Sequence, residues 1–520
     1  MIGAWVEEAC LVATVALPLA GAALVKARDD AWAGIGVSWT GAMASIAVLM
    51  LVVARGPAHI GLGGPSGKPW VGLVANPVTA ALLVLICGVG ALVQSFQSRY
   101  LQADPGSARF AARALLVVSA MATVTASATL AGLICAWVAA GVAFVAVLAY
   151  RRDLPGAEAS VRTAMRALVL GDSCLLTAGA LIWIRAGNVT LIRTAALGRV
   201  AHQLGDWRGA VALLVTVAAL SRCAQASFRR WLVLTVSAPT PSSALLHAGV
   251  VNGGGILLVR LGVVAAWPPA MAALLVLSAA TAVWAGAVMS VQADVKGRLV
   301  SSTASQMGFM LAEVAVGAWP AAVIHMIGHG FYKSSMFLSS GSAVERPGTR
   351  RVRAVRLTGG GLMAGALTVA AGTAAVAPGV IAGDGWPVAI YACLGAAFLG
   401  ASWWTRRPPG GMARWAWPAA LVAAAGAYGS AVAVAASFLG AALPRSTSLG
   451  SMWLLGLALV AAIGTLLTRA GAPGTSLRLR LLNAGVPTAP GGRSPTGSIL
   501  TGASVWSAVA RPAARQTEAA

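Results

Sequence analysis

Long apolar stretches recur along almost the whole chain, and this recurrence limits its possible folds more than any other feature. Hydrophobic residues make up 58% of the 520 residues and charged residues only 10%, which is too little polar surface to cover a water-soluble core of this size. The charged residues lie mostly in short segments between apolar stretches. Since a helix needs about 20 apolar residues to cross a bilayer, the pattern predicts an all-α polytopic membrane protein with about 15 transmembrane helices.

We expect residues 1–470 to form one transmembrane domain and residues 471–520 a polar tail rich in Arg, Gly and Pro. The predicted spans are 9–25, 32–54, 76–96, 110–129, 130–150, 164–184, 209–225, 243–261, 269–289, 299–316, 319–341, 361–381, 386–404, 417–443 and 451–467. The first span resembles a signal peptide in length. Because Glu7 and Glu8 precede it instead of a basic region, it is predicted to be the first membrane helix.

The chain is strongly basic, with 37 Lys and Arg against 14 Asp and Glu. Most of the excess is arginine in the segments between spans, such as 151–152, 229–230, 350–353 and 406–407. Such residues set membrane topology and contact anionic lipid head groups. We therefore expect a multi-pass protein of the cell (inner) membrane with lipid as a partner, and no nucleic-acid partner.

The six cysteines occur singly, without a CxxC pair, so neither a disulfide framework nor a cysteine metal site is predicted. The sequence also lacks a ligand pattern for flavin, haem or an iron–sulfur cluster. We expect no cofactor in this chain.

One segment interrupts the apolar pattern. Pro239 and Pro241, in Ala-Pro-Thr-Pro, divide a stretch that would otherwise be continuous. Proline removes backbone donors and breaks helices. Irregular backbone at membrane depth occurs only where protein or a water-filled cavity surrounds it, so a broken helix near these prolines is a candidate functional region.

A stripe of ionisable residues follows in the sequence AAVIHMIGHGFYKSSMF. His325, His329 and Lys333 recur every four residues, which on a helix places them on one face about 6 Å apart. Histidine titrates near neutral pH, so such a stripe can relay protons through water. Two other interpretations are a zinc pair, which lacks an evident third ligand, and a hydrogen-bonded seam between helices.

Five further ionisable residues lie in or beside apolar stretches, where charge is costly and usually functional. They are Asp172, Arg222, His247, Lys296 and Glu313. Asp172 could balance the charge of Arg222 or of Arg166. His247 follows Pro241 by six residues, so water admitted at the break could reach it. Lys296 could face the helix bundle or be an ordinary loop residue.

Four segments occur in the order typical of one membrane family. They are SRCAQASFRRWL, APTPSSALLHAGVVNGGGILLVR, DVKGRLVSSTASQMGFM and HMIGHGFYKSSMFLSSGS. Together, over residues 76–343, they resemble the proton-translocating antiporter-like family, which includes the large membrane subunits of respiratory complex I and of multisubunit sodium/proton antiporters. The resemblance implies that the ionisable residues above form a proton or ion pathway.

The chain departs from this family at three places. Val138 follows Trp137 where the family usually has a glutamate, Arg222 stands where it has a lysine, and no late SKD-type motif follows Arg353. Arginine is effectively never deprotonated in proteins, so Arg222 can hold charge but cannot relay a proton.

The sequences FYKSSMFLSSGS, MLAEVAVGAW and LLNAG are similar to one branch, the DabB-type membrane subunits of DAB inorganic carbon pumps. This resemblance implies a transporter subunit and not an enzyme. It would conduct protons or cations to drive CO2 hydration in a large zinc-containing DabA-like partner that resembles a β-carbonic anhydrase. The alternatives are a proton-translocating subunit of an NADH:quinone oxidoreductase or of a multisubunit cation/proton antiporter, and a non-conducting membrane scaffold.

Overall fold

The computed structural model describes residues 2–62, 69–153, 157–192, 194–225, 228–235, 238–292 and 294–340, with positions 423, 430, 434 and 437–443. The four spans predicted after residue 360 and the polar tail lie outside the described residues, apart from those isolated positions.

Helices account for most of the described chain, because the apolar stretches are long and their backbone groups bond within each segment. The helices are α1 (Ile2–Arg28), α2 (Ala33–Arg55), α3 (Pro77–Tyr100), α4 (Ser107–Ala126), α5 (Leu130–Leu148), α6 (Ala157–Ala186), α7 (Thr194–Gln203), α8 (Trp207–Arg222), α9 (Arg229–Leu234), α10 (Thr240–Leu245), α11 (Gly253–Ala265), α12 (Pro268–Val291), α13 (Val295–Ala315) and α14 (Trp319–Ser340). Each span predicted before residue 345 coincides with a helix, except that 243–261 is divided between α10 and α11.

Seven described helices, α1 to α6 and α12, are long and apolar enough to cross a membrane. Helices α7 and α8 pass the same test together but meet at 119°, so they add at most one more span. Helices α13 and α14, with 21 and 22 residues, are long enough to cross but carry a polar face. The chain is therefore a multi-pass membrane protein. Eleven of the 15 predicted spans fall in the described part, where seven or eight helices pass this test, and the total of 15 stays a prediction.

A β-hairpin between α2 and α3 is an addition to the predicted all-α fold. Strand β1 (Ala58–Leu62) pairs antiparallel with β2 (Val71–Ala75). Leu73 of β2 also bridges Ser127 at the end of α4. The strands are only five residues long, so their alternating pattern is too short to stand out beside apolar runs of twenty residues.

Helix α11 packs closely against α8 at Gly254. A Cβ atom on Gly254 would collide with the carbonyl oxygen of Ala219 and would lie 2.6 Å from Cys223 Sγ. The absence of a side chain therefore brings the segment after the break against the end of α8, where Arg222 lies.

The break itself has two parts. Pro239 is the residue before α10 and Pro241 lies in its first turn, so the prolines mark the start of a helix. A second interruption, which was not predicted, is the wide turn Leu246–Val250, where the backbone of Gly249 is not helical. Asn252 donates to the carbonyl oxygen of His247 at 3.4 Å, which satisfies a group that the break releases.

Candidate functional site

The polar faces of α13 and α14 meet along a row of side-chain pairs. Ser302, Gln306 and Glu313 are four and seven residues apart, which places them on one face of α13. On α14 the predicted stripe of His325, His329 and Lys333 also shares one face. The chain runs in opposite directions in the two helices, so the first polar residue of one faces the last of the other.

Each member of the predicted stripe has a partner on α13. The Lys333 ammonium donates to Ser302 Oγ at 2.6 Å. His329 Nδ1 lies 2.9 Å from Gln306 Oε1, and His325 Nδ1 lies 3.0 Å from Glu313 Oε2. We call these three pairs, Ser302–Lys333, Gln306–His329 and Glu313–His325, the α13–α14 ladder.

A histidine in the broken segment contacts the middle of the ladder. His247, in the turn between α10 and α11, places Nδ1 3.2 Å from Nε2 of His329. The ring of His247 also stacks on Phe337, with centroids 5.2 Å apart. The rings of His329 and His325 are 6.2 Å apart and share no direct hydrogen bond. Proton transfer between those two rings therefore requires a water molecule or a side-chain rotation.

Four titratable residues of the site are buried, whereas Ser302, Gln306 and His325 are partly exposed. The exposed fraction of His247 is 0%, that of Glu313 and of Lys333 is 1%, and that of His329 is 4%. Within the described part of the chain, His247 Nε2 and Glu313 Oε1 have no hydrogen-bond partner. Burying an unpaired charge costs several kcal/mol, so an ionised ladder residue is stable only beside an opposite charge or a hydrogen-bonding group.

A second buried cluster connects α5, α6 and α8. Arg222 Nη2 donates to Asp172 Oδ1 at 2.7 Å and to the carbonyl oxygen of Trp137 at 3.1 Å. Its guanidinium carbon lies 4.1 Å from the centre of the Trp137 ring, and the indole N–H donates to Asp172 Oδ1 at 2.7 Å. Of the two arginines considered for Asp172, the partner is Arg222, since Arg166 is exposed.

This cluster supplies a carboxylate opposite Arg222 although Val138 occupies the position where the related family usually has a glutamate. The carboxylate comes from the neighbouring helix α6. Two hydrogen bonds and a cation–ring contact fix the guanidinium, which does not lose its proton. The arrangement can hold a charge beside the break but cannot pass a proton through Arg222.

Lys296 lies at the start of α13, six residues before Ser302. Its side chain is half-buried, and its ammonium donates to the carbonyl oxygen of Ala238 at 3.3 Å, next to Pro239. Lys296 therefore holds the irregular connection before α10. Six residues of helix separate it from the ladder by about 9 Å along the axis.

The described ranges contain no group of three or more His, Cys, Asp or Glu side chains placed to hold a metal ion. Instead, His325 and His329 each bond to a residue of α13. The seam and the relay interpretations of the stripe both agree with these contacts.

Sequence reasoning missed Ser302, Gln306 and the indole of Trp137 as members of the two clusters. The segment SSTASQMGFM did carry a signal, because Ser302 and Gln306 are polar and four residues apart within an apolar helix. Which helix they face depends on tertiary packing, which the sequence of α13 alone does not give.

The chain is similar to two known membrane-protein families. Residues 127–375 match the transmembrane family described as NADH:quinone oxidoreductase/Mrp antiporter. Residues 68–111 match the family described as NADH-ubiquinone oxidoreductase (complex I), chain 5 N-terminus. The chain is thus similar to antiporter-like membrane subunits across the region that contains both clusters.

Several relatives carry transporter names. The chain is 31% identical to the probable inorganic carbon transporter subunit DabB2 of Halothiobacillus neapolitanus, over 64% of this chain and 62% of that protein. It is 32% identical to the probable inorganic carbon transporter subunit DabB of Bacillus subtilis, over 58% of this chain and 59% of that protein. NADH-quinone oxidoreductase subunit L of Mycobacterium tuberculosis is 29% identical, over 64% and 55%. The chain therefore spans less than two thirds of the length of these relatives.

Two solved complexes share the fold. The Mrp complex from Dietzia sp. superposes with a TM-score of 0.60 at 23% identity, over 91% of this chain and 59% of that chain. The membrane-bound sulfane sulfur reductase, an archaeal respiratory membrane complex, superposes with a TM-score of 0.57 at 18% identity, over 91% and 97%. At these identities the likeness concerns the fold alone.

Proposed function

We propose that this antiporter-like, multi-pass membrane chain is the energy-coupling subunit of an inorganic carbon transporter. In this role it conducts protons or another cation across the membrane, and the energy released drives the accumulation of bicarbonate. The names of the DabB relatives support the substrate class. The α13–α14 ladder with His247 is the structural observation that supports conduction.

The site suits protons because its histidines, its lysine and its glutamate can accept and release them. Imidazoles titrate near neutral pH, and a desolvated lysine or carboxylic acid can be neutral under the same conditions. The row from Lys333 through His329 to His325 and Glu313 extends along the axis of α14 through the bundle. One charge that crosses the membrane releases about 2.3 kcal/mol per 100 mV, which is the energy available to the pump.

We assign the hydration of CO2 to a partner subunit. In this proposal a large zinc-containing subunit, similar to a β-carbonic anhydrase, hydrates CO2, and this chain contributes no catalytic residue. The Arg222 guanidinium, paired with Asp172, would influence the groups near the break through its fixed positive charge without carrying protons itself. Lys296 would hold the start of the broken segment in place.

A second candidate is a proton-translocating subunit of an NADH:quinone oxidoreductase or of a cation/proton antiporter. The similarity to subunit L of Mycobacterium tuberculosis supports it. The two candidates differ in the transport activity that would be lost without this chain. The pump proposal requires inorganic carbon uptake, whereas the alternative requires quinone-linked proton transfer or cation exchange.

The test is co-expression of this chain with a candidate zinc subunit in a bacterium that lacks carbonic anhydrase. We expect growth in air and rapid uptake of labelled inorganic carbon, which a protonophore abolishes within the uptake assay. A soluble carbonic anhydrase in the same host is the control, since it supports growth without concentrating bicarbonate. Uptake that continues unchanged with the protonophore would exclude energy coupling. Cation exchange in everted vesicles without carbon uptake would favour the second candidate.

A further inference from the structure

Gln306 is an uncharged residue at the centre of the α13–α14 ladder. It is half-buried, and its Oε1 lies 2.9 Å from Nδ1 of His329. The other ring nitrogen of His329, Nε2, lies 3.2 Å from Nδ1 of His247. His329 is thus bonded on both sides of its ring.

The amide oxygen has a consequence for the position of the protons. With its amide oxygen and not its amide nitrogen facing the ring, Gln306 accepts a hydrogen bond, so a neutral His329 carries its proton on Nδ1. Its Nε2 is then an acceptor, and His247 must donate from Nδ1. The result is a directed chain of hydrogen bonds from His247 to His329 to Gln306.

We propose that Gln306 is the positioning residue that fixes the neutral tautomer of His329 and thereby sets the direction of the central hydrogen bond. Gln306 touches no carried ion in this proposal and acts only through His329. The inference deepens the proposed conduction role and rests on it for its functional consequence, but the tautomer itself is a property of the chain alone.

The same geometry makes Gln306 a barrier to through-transfer. A proton that arrives on Nε2 of His247 lets the Nδ1 proton pass to Nε2 of His329, which becomes an imidazolium. The proton on Nδ1 of His329 then faces an amide oxygen, which is a poor base and passes nothing on. Transfer toward His325, whose ring centre is 6.2 Å away, therefore requires that the Gln306–His329 bond opens first.

The last acceptor beyond this barrier is Glu313. When protonated, His325 gives its Nδ1 proton to Glu313 Oε2 across 3.0 Å, so an imidazolium–carboxylate pair becomes a neutral imidazole and a carboxylic acid. The count of protons and the net charge are unchanged in that step. Gln306 thus separates a pair of histidines that exchange protons directly from a histidine–glutamate pair that does the same.

Nitrogen NMR of the full chain in lipid tests the tautomer without any transport assay. The chain has only five histidines, and the two outside the site, His59 and His202, are exposed and can be replaced by glutamine. The spectrum of ¹⁵N-histidine then contains three residues, and the variant His329→Gln identifies the signals of His329. We expect neutral His329 to be protonated on Nδ1.

The decisive comparison uses Gln306→Leu, which removes the acceptor while keeping a similar volume. We expect the tautomer ratio of His329 to shift toward Nε2–H by about tenfold, which corresponds to about 1.4 kcal/mol. Ser305→Ala is the matched control, since Ser305 bonds to the carbonyl oxygen of Ala282 on α12 and not to a histidine. It should leave the ratio unchanged.

Gln306→Glu covers the case in which the leucine variant does not fold. Its carboxylate keeps an acceptor opposite Nδ1, so His329 should stay protonated there and should retain its second proton to a higher pH than in the unchanged chain. A neutral His329 ring that carries its single proton on Nε2, in the unchanged chain or in Gln306→Glu, would overturn the proposal, as would an unaltered ratio in Gln306→Leu. None of these outcomes depends on carbon uptake, so a failure of the tautomer assignment is distinct from a failure of the proposed function.

Discussion

Arg222 on α8 and Asp172 on α6 form a buried ion pair, with Nη2 2.7 Å from Oδ1 and only 1% and 13% of the two side chains exposed. The pair lies against the Trp137 ring, and Gly141 makes room for it, because a Cβ atom there would be 3.2 Å from Asp172 Oδ2. One charged partner left alone in this environment would have no water to solvate it.

Removal of one partner should therefore destabilise the bundle. For Asp172→Ala we expect a loss of about 3–5 kcal/mol, as for other buried pairs from which one charge is removed. The exposed pair Glu158–Arg162 on the same helix is the control, and Glu158→Ala should cost less than about 0.5 kcal/mol. Thermal unfolding of the purified chain in lipid measures both, and equal losses would contradict the assignment.

Substitutions of Arg222 separate charge from shape. Arg222→Lys keeps a positive charge opposite Asp172 and should retain partial transport, whereas Arg222→Ala should abolish transport although the protein still inserts. Uptake normalised to the amount of protein in the membrane is the measurement. Full activity of the alanine variant would show that Arg222 serves packing or topology only.

His329→Ala removes the residue that joins His247 to the rest of the ladder. The remaining groups of the stripe, His325 and Lys333, are then eight residues or just over two helical turns apart, about 12 Å, which is too far for direct proton exchange. We expect strongly impaired uptake at normal membrane abundance and normal co-purification with the partner. A scaffold would instead lose abundance or assembly, with unchanged activity per assembled complex, and wild-type uptake in the alanine variant would exclude the relay.

Gly330 allows α14 to approach the break. A Cβ atom on Gly330 would lie 3.0 Å from the carbonyl oxygen of His247 and would collide with Leu85 on α3, whereas one on Gly328 would meet nothing within 4 Å. Gly330→Ala should therefore push α14 away from His247. The overpacking should lower the free energy of unfolding by about 1–3 kcal/mol, and uptake should fall as well. Gly328→Ala should match the unchanged chain, and identical behaviour of the two variants would contradict this packing.

The connection between α3 and α4 should respond to acid. Partial burial raises the pKa of Asp104, but hydrogen bonds from the Gly106 N–H, the Tyr150 hydroxyl and Arg151 outweigh burial and leave that pKa below its ordinary value. Because the folded-state pKa is the lower one, Asp104 stabilises the fold above its unfolded pKa of about 4, and the contribution is lost as the pH falls through the folded pKa.

Asp104→Asn should accordingly be less stable than the unchanged chain at pH 7, and the difference should shrink in acid. Unfolding temperatures measured from neutral pH to pH 3 follow this change. Asp206→Asn is a suitable control, since Asp206 is exposed and makes no capping bond at the start of α8. A difference between Asp104→Asn and the unchanged chain that is constant with pH would refute the role of ionisation.

The sequence predicted the helices well where one physical cause dominates. An apolar run of about twenty residues in a membrane forms a helix, because its backbone groups must bond to one another. A spacing of four on such a helix places His325, His329 and Lys333 on one face. Their partners were not predictable in the same way. Gln306 and His329 meet only because α13 and α14 pack side by side, and such contacts depend on the whole bundle.

The carboxylate opposite Arg222 illustrates the same limit. Composition and position left Arg222 and Arg166 as equal choices for Asp172, and only the packing of α6 against α8 decides between them. The wide turn at His247 was also beyond prediction, since its sequence contains no proline and Gly249 is compatible with a regular helix as well as with a break.

The turn between α13 and α14 gives the ladder a strict length requirement. Only residues 316–318 connect the helices, and Gly317 takes a positive φ of 82° that closes the turn. One inserted residue that extended either helix would rotate it by about 100° and shift it by about 1.5 Å. Ser302, Gln306 and Glu313 would then all face the wrong residues at once. Insertions and deletions in this turn should therefore be far less tolerated than substitutions at any single pair. The number of residues between the polar face of α13 and the stripe on α14 matters as much as the identity of the residues.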